Sequence, residues 1–326
     1  MCTRVTYLGP DDLVITARSM DWFEDMQTDL WAFPRGMERD GAAGSRSVRW
    51  TSKYGSVIAA GYNIGTTDGL NVAGLVANML YLVEAEYPED DGKSPTLCIA
   101  AWPQYALDNF ASVAETVQAL AADPFIPLAP DLPNGKAMSL HLAVSDASGD
   151  SAIFEYVGGA LRVHHGREYQ TMTNSPVYDQ QLAINSYWES LGGTTMLPGT
   201  NRAADRYVRA SFYVKAIPQT GNARSALASV LGVIRNASVP LGISTPGQPN
   251  ISSTLWRTMS DHKHLTYFFD AATSPNAFWT PLADLDLKAG APVKKLPLAG
   301  GETYSGNAAG DFVAAAPFAF FAAPAD

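Results

Sequence analysis

The opening twenty residues constrain the fold more than any other stretch. Cys2–Leu8 and residues 13–20 are runs of apolar and β-branched residues, and Gly9-Pro10-Asp11-Asp12 between them is a strong turn cluster. Two strands joined this tightly pair antiparallel. Pairing about the turn sets residues whose numbers sum to about 21 opposite each other. Cys2 is then expected across from Arg18 and Ser19, with Asp21 one step further on.

Similar strand signals recur at 47–52, 56–62, 70–80, 139–145, 152–157, 161–165, 168–173, 252–259 and 264–269. Three helices stand out. Ser112-Val-Ala-Glu115 is a capping box with Val113, Val117 and Leu120 on one face, and Pro124 stops that helix. Residues 202–217 carry Ala203, Tyr207, Ala210 and Val214 at helical spacing, and 222–236 carry Leu227, Val230, Leu231 and Ile234. Strands and helices are segregated rather than alternating, which predicts an α+β fold with antiparallel sheets. No repeat or convincing linker divides the chain, so residues 1–326 are read as one domain.

Composition excludes several classes of function. Hydrophobic residues are 47% and charged residues 17%, which excludes a disordered chain. Lys plus Arg is 22 against 32 Asp plus Glu, a net charge of −10 that argues against nucleic-acid binding. The apolar tail 312–324 is broken by Pro317 and too short to span a bilayer. It reads as a strand or an extended arm that could pack on a partner subunit. No charged and apolar leader opens the chain, so a cytoplasmic protein is expected as the sequence stands, or a periplasmic one if a signal has been removed.

The chemistry narrows to cysteine. The five histidines (141, 164, 165, 262 and 264) lack the spacing of a zinc site and read as ordinary surface or loop residues. The sequence has no phosphate-binding loop, no dinucleotide fingerprint and no Gly-x-Ser-x-Gly elbow. Neither a metal nor an organic cofactor is expected. Cys98 lies in the apolar run Leu97-Cys98-Ile99-Ala100 and reads as a buried small hydrophobe. Cys2 is different. Removal of Met1 leaves a thiol and a free α-amine on one residue, and an α-amine with a pKa of about 7.7–8.0 can accept the thiol proton without any histidine. A cysteine can stand at position two by chance. Arg18 and Asp21 nearby favour the functional reading, the first by stabilising a thiolate and the second by holding the amine.

The chain resembles the choloylglycine hydrolase family of N-terminal nucleophile hydrolases, which holds penicillin V acylases and conjugated bile salt hydrolases. The likeness rests on Met1-Cys2-Thr3-Arg4, on Arg18-Ser-Met-Asp21-Trp22, and on the run from Gly69 through Tyr81. It continues in Met172-Thr-Asn174-Ser-Pro176, in Leu197-Pro-Gly199 followed by Asp205-Arg206, and in the stretch from Leu255 to His262. The resemblance implies a four-layer αββα sandwich of two antiparallel sheets flanked by helices. It implies hydrolysis of a small-molecule linear amide through an acyl-thioester enzyme, with catalytic Cys2, Arg18, Asp21, Tyr81, Asn174 and Arg206. In that scheme Asn174 and the backbone N–H of Tyr81 hold the oxyanion. Asn174 before Ser-Pro is equally a good turn residue, and Arg206 on a helix equally a surface charge. Trp22 and Tyr81 are expected to line the substrate pocket.

The context of Tyr81 is closer to penicillin acylases of Gram-negative type. That implies penicillin V acylase activity, with N-acyl-homoserine lactones as further substrates. The alternatives are a bile salt hydrolase and a non-catalytic binding relative. A homo-oligomer is implied, tetrameric by resemblance, although the short stretch between Pro176 and Leu197 weakens the tetramer contacts of Gram-positive relatives.

Overall fold

The computed structural model describes residues 2–132, 135–246 and 248–323. Sixteen strands build its two large sheets. In chain order they are β1 (Cys2–Leu8), β2 (Val14–Asp21), β3 (Leu30–Phe33), β4 (Ser56–Gly61), β5 (Gly65–Asn71), β6 (Val76–Tyr81), β7 (Leu140–Ser145) and β8 (Ser151–Val157). They continue as β9 (Ala160–His165), β10 (Thr171–Met172), β11 (Thr254–Asp261), β12 (Thr266–Ala271), β13 (Ala277–Pro281), β14 (Lys294–Leu296), β15 (Gly306–Asn307) and β16 (Val313–Ala314). Five α-helices accompany them: α1 (Trp102–Asn109), α2 (Val113–Leu120), α3 (Tyr178–Leu191), α4 (Ala203–Ala216) and α5 (Ala223–Asn236).

One sheet has the order β10-β1-β2-β11-β12-β13-β15 and the other β9-β8-β7-β6-β5-β4-β3-β14-β16. Every pairing is antiparallel except β13 with β15. Three apolar layers result, because strand side chains alternate between faces. The central layer joins the sheets through residues such as Met20, Leu70, Ile153 and Phe269. A second lies under α1 and α2 and includes Ile58, Leu107 and Phe154. A third, with Val5, Ile15, Val214 and Val230, lies under α4 and α5. The arrangement is the α+β, four-layer αββα sandwich expected.

The opening hairpin forms with a register one residue away from the sequence expectation. Cys2 pairs with Met20 and Arg4 with Arg18, so paired numbers sum to 22. The loop uses three residues, Pro10, Asp11 and Asp12, and is closed by Gly9 N–H donating to the Leu13 carbonyl (2.8 Å). Asp11 and Asp12 both take the left-handed conformation (φ 57° and 55°), which aspartate tolerates better than most residues. The shift matters because one residue of slip exchanges the two faces of a strand. In the observed register Cys2 and Arg18 share the face turned to the other sheet.

Other expectations are met with shifted bounds. The helices at 113–120, 203–216 and 223–236 form, with Ser112 Oγ accepting from Glu115 N–H and Asn222 Oδ1 accepting from Ser225 N–H. The stretch 70–80 is the end of β5, a tight turn and β6 rather than one strand. Asn71 Oδ1 accepts from the Ala73 and Leu75 amides, and Gly74 has φ 89°. Helix α1, only eight residues long, and α3, whose apolar periodicity is weak, escaped the sequence reading. The apolar tail packs on its own chain: Phe318 stacks edge-on against Trp31, and Phe321 and Ala323 donate to the carbonyls of Ile64 and Ala42. Pro324 lies outside the described residues. Among the described residues, no helix is long and apolar enough to cross a membrane.

Gly69 on β5 shows how tightly the second sheet meets α1. A Cβ there would stand 2.6 Å from a methyl of Ile58, 2.8 Å from one of Leu107 and 2.9 Å from the carbonyl oxygen of Val57. The last is backbone and cannot yield. Gly69→Ala is therefore expected to destabilise the fold by about 1–3 kcal/mol, measured as a lower urea midpoint at unchanged slope.

Candidate active site

Cys2 opens β1, the second strand of the first sheet, and is 3% exposed. Its Sγ lies 3.2 Å from Nη2 of Arg18 and 3.7 Å from Sδ of Met20. Arg18 is fully buried and held on several sides. Beyond the Asp68–Asn78 pair, β5 and β6 part, and the guanidinium enters the gap. It donates to the carbonyls of Thr67 (3.3 Å) and Met79 (3.1 Å), and its central carbon lies 4.9 Å over the ring of Trp256. The Asp68 carboxylate stands 3.8 Å away.

The opposite strand face supplies a second charged group. Asp21 lies 3.8 Å from Nη1 of Arg206 and accepts from Thr254 Oγ1 (2.6 Å). Arg206 is a buried helix residue, not a surface charge. It donates to the Cys2 carbonyl (2.6 Å), to Asn174 Oδ1 (2.9 Å) and to the Asn201 carbonyl (3.0 Å). Burial pulls its pKa below the ordinary guanidinium value, against the opposing pull of Asp21.

Asn174 joins the two groups. Its Oδ1 also accepts the Cys2 backbone N–H at 2.6 Å, and its Nδ2 donates to the Tyr81 carbonyl at 2.6 Å. Ladder parity turns Tyr81 the same way. Leu82 N–H donates to the Ser139 carbonyl, so the Leu140–Tyr81 pair beside it makes no ladder bonds with β7. The N–H and C=O of Tyr81 therefore point away from β7, toward Asn174 and the cleft between β5 and β6. The Tyr81 N–H thus lies on the same side of its strand as the carbonyl that Asn174 Nδ2 reaches.

An apolar pocket of about 600 Å³, open to solvent, runs from Cys2 between the sheets. Met20, Met26, Met79 and Met138 line it together with Trp22 and Tyr81. Those two rings lie 5.6 Å apart and tilted, and Trp22 Nε1–H donates to Tyr62 Oη at 2.8 Å. All seven sequence-selected residues thus lie around one thiol: Cys2, Arg18, Asp21, Trp22, Tyr81, Asn174 and Arg206. Met1 lies outside the described residues.

The sequence reading missed the buried frame. His141 and His262 are fully buried rather than surface residues. His141 bridges Glu155 (2.9 Å) and the Thr173 carbonyl (2.9 Å), which fixes the approach to Asn174. Glu155 in turn accepts the Tyr178 N–H at 2.9 Å. The available signal was their placement at matching positions of paired strands β7 and β8 inside apolar runs. Asp68, Asn78 and Tyr267 behind Arg18 were also missed. They lie on three strands, and no local motif joins them. Among the described residues, no group of acidic, histidine or cysteine side chains could hold a metal ion.

The chain belongs to the choloylglycine hydrolase family of linear amide C–N hydrolases, whose sequence profile matches residues 2–295. It is 50% identical to a penicillin V acylase of Pectobacterium atrosepticum, over 98% of this chain and 92% of that protein. The solved penicillin V acylase of Agrobacterium tumefaciens is 58% identical and superposes with a TM-score of 0.93, over 98% of this chain and all of that one. A bile salt hydrolase/transferase of Bifidobacterium longum is 21% identical over 88% of this chain and 97% of its own length.

The two cysteines should separate chemically. Cys98 is wholly buried, and burial pushes its thiol up from about 9 to about 11. At pH 8 iodoacetamide is expected to label Cys2 through the pocket and to spare Cys98 until the chain unfolds, as read by peptide mass mapping. The raised thiol value also stabilises the fold below about pH 9, a contribution lost as the pH climbs through about 11.

Proposed function

We propose that this protein is a cysteine N-terminal nucleophile acylase of penicillin V type, acting on small linear amides with an apolar acyl group. The observation that carries the reading is the Arg18 guanidinium 3.2 Å from the Cys2 thiol at the mouth of an apolar, aromatic-walled pocket. The two relatives at 50% and 58% identity named as penicillin V acylases support it.

In this mechanism loss of Met1 frees the Cys2 amine, which takes the thiol proton. Sγ attacks the amide carbonyl, and the resulting oxyanion accepts from Asn174 Nδ2 and Tyr81 N–H. The ammonium returns its proton to the leaving nitrogen as the C–N bond breaks, leaving a thioester on Cys2. Water, deprotonated by the same amine, attacks the thioester and releases the carboxylic acid and the thiol. Asn174 Oδ1 and Arg206 orient the amine end of Cys2, and Asp21 balances the charge of Arg206. Tyr81 serves through its backbone, so its ring is available to the acyl group.

Trp22 and Tyr81 form flat walls that suit a phenoxyacetyl group, worth about 0.5–1.5 kcal/mol beyond area burial. The four methionines can repack around a flexible alkyl chain, which supports N-acyl-homoserine lactones as further substrates. A rigid steroid has less room. A homo-oligomer belongs to the same reading, supported by the exposed Ile184, Tyr187 and Leu191 along α3, and light scattering of the purified protein tests it.

Released amine scored over penicillin V, an acyl-homoserine lactone and glycine-conjugated bile salts tests the assignment. Penicillin V and the lactone are expected ahead in kcat/KM, and a bile salt in first place overturns the pocket reading. Cys2→Ala should abolish turnover. Asn174→Ala should lower kcat by about 10²–10³ with little change in KM, because the oxyanion exists only in the transition state. Tyr81→Phe should keep kcat, since its backbone N–H survives. The reverse pattern would exchange the two roles.

A further inference from the structure

Behind Arg18, on the side away from Cys2, lies a carboxyl group that the reaction steps above do not use. Asp68 is completely buried in the central layer. Its Oδ1 accepts from Tyr267 Oη (2.6 Å) and its Oδ2 from Asn78 Nδ2 (2.6 Å), while Arg18 Nη1 stands 3.8 Å from Oδ2. The other amino group of the same guanidinium, Nη2, reaches Cys2 Sγ at 3.2 Å. One buried cation therefore faces a carboxylate on one side and a thiol on the other.

We propose that Asp68 is a positioning residue that acts through Arg18: it is the counter-charge that divides the guanidinium between two anions and so sets how readily Cys2 ionises. The inference rests on Cys2 as nucleophile only for its catalytic meaning; the charge coupling stands by itself. Two geometric facts carry it. Tyr267 and Asn78 come from the opposite sheet and the neighbouring strand and hold the carboxylate in place. Thr67 and Met79 carbonyls hold Arg18 independently of Asp68, so removing the carboxylate's charge leaves the cation beside the thiol. Burial raises the Asp68 carboxyl above the ordinary aspartate value, opposed first by Arg18. The other charged and titratable groups around this row are Asp21 and Arg206 on the amine side of Cys2, the α-amine itself, Tyr81 from β6 and Tyr267 from β12.

With a full positive charge facing it alone, the thiol must ionise more easily. A thiolate of lower basicity is also a weaker nucleophile. Asp68 thus keeps Arg18 from holding Cys2 as a stable, sluggish thiolate.

The test is Asp68→Asn, which keeps the shape and removes the charge. The rate of Cys2 alkylation by iodoacetamide, located by peptide mapping, is followed against pH. The midpoint is expected to fall by about one pH unit relative to the unmutated protein, within the range for an opposite charge a few ångströms away. A merely structural role would not lower it; an unchanged or raised midpoint overturns the proposal.

The unmutated protein gives a second reading that needs no folded variant. Coupling between two sites is reciprocal, so Cys2 carrying an anionic carboxymethyl group from iodoacetate must give Asp68 a higher titration midpoint than Cys2 carrying the neutral amide from iodoacetamide. The Asp68 Cγ signal, assigned by NMR through Cβ to the residue's own backbone amide, reports that midpoint in the two adducts. No difference there also overturns the proposal. Both readouts are independent of turnover. If Cys2→Ala retained turnover, the nucleophile assignment would fail while the coupling measurements still decided this one.

Discussion

The contact between the Arg18 guanidinium and the Cys2 thiol depends on a single choice of register. Side chains on a strand alternate, so a slip of one residue would turn Arg18 toward the helices while Cys2 still faced the other sheet. The three-residue loop through Pro10, Asp11 and Asp12 removes that alternative. Sheet stacking then covers the pair. The parted ends of β5 and β6 give the cation carbonyls to bond, and the strands beside it give it a carboxylate. A buried cation left without such partners would cost several kcal/mol, a large part of a fold's whole stability. The frame around Arg18 is therefore a condition for having it there at all.

The fold and the site were legible to different depths. The hairpin, the capped helices at Ser112 and Asn222, and the segregation of strands from helices could be read because turn residues and caps are local chemistry. The residues around Cys2 could be named because the resemblance covers ordered motifs at 2–4, 18–22, 69–81, 172–176 and 197–206. The register was misjudged by one residue because Gly9, read as part of the turn, bonds Leu13 and leaves a three-residue loop in which two successive aspartates take the left-handed conformation. The break at Asn71–Gly74 was hidden in an apolar run. The polar frame was invisible for a different reason. His141, Glu155, Asp68 and Tyr267 act through pairings between distant segments, and each one alone looks like an ordinary residue.

The site combines two environments that rarely coexist in a few ångströms. On one side Arg18, Asp21, Arg206 and Asn174 form a fully buried charged and hydrogen-bonded group. On the other, methionines and aromatic rings line a pocket open to solvent. An amide bound with its acyl group in the pocket would bring its carbonyl to the boundary. There the low polarity of one wall strengthens the donors of the other. The family membership and the identities to penicillin V acylases fit that division, since the acyl portion is the part an apolar wall can read.

The placement of Cys2 at the first strand also has a consequence for how the protein is made. The residues that complete its surroundings come from far along the chain: Asn174 is 172 positions away and Arg206 is 204. During synthesis the thiol leaves the ribosome early, while Asn174 and Arg206, which bond its backbone N–H and carbonyl, have yet to be translated. Domains fold largely as units when enough of their partners are present. The nascent chain therefore carries its cysteine through most of its production as an ordinary thiol, and hydrolytic power arrives only with the second half of the molecule.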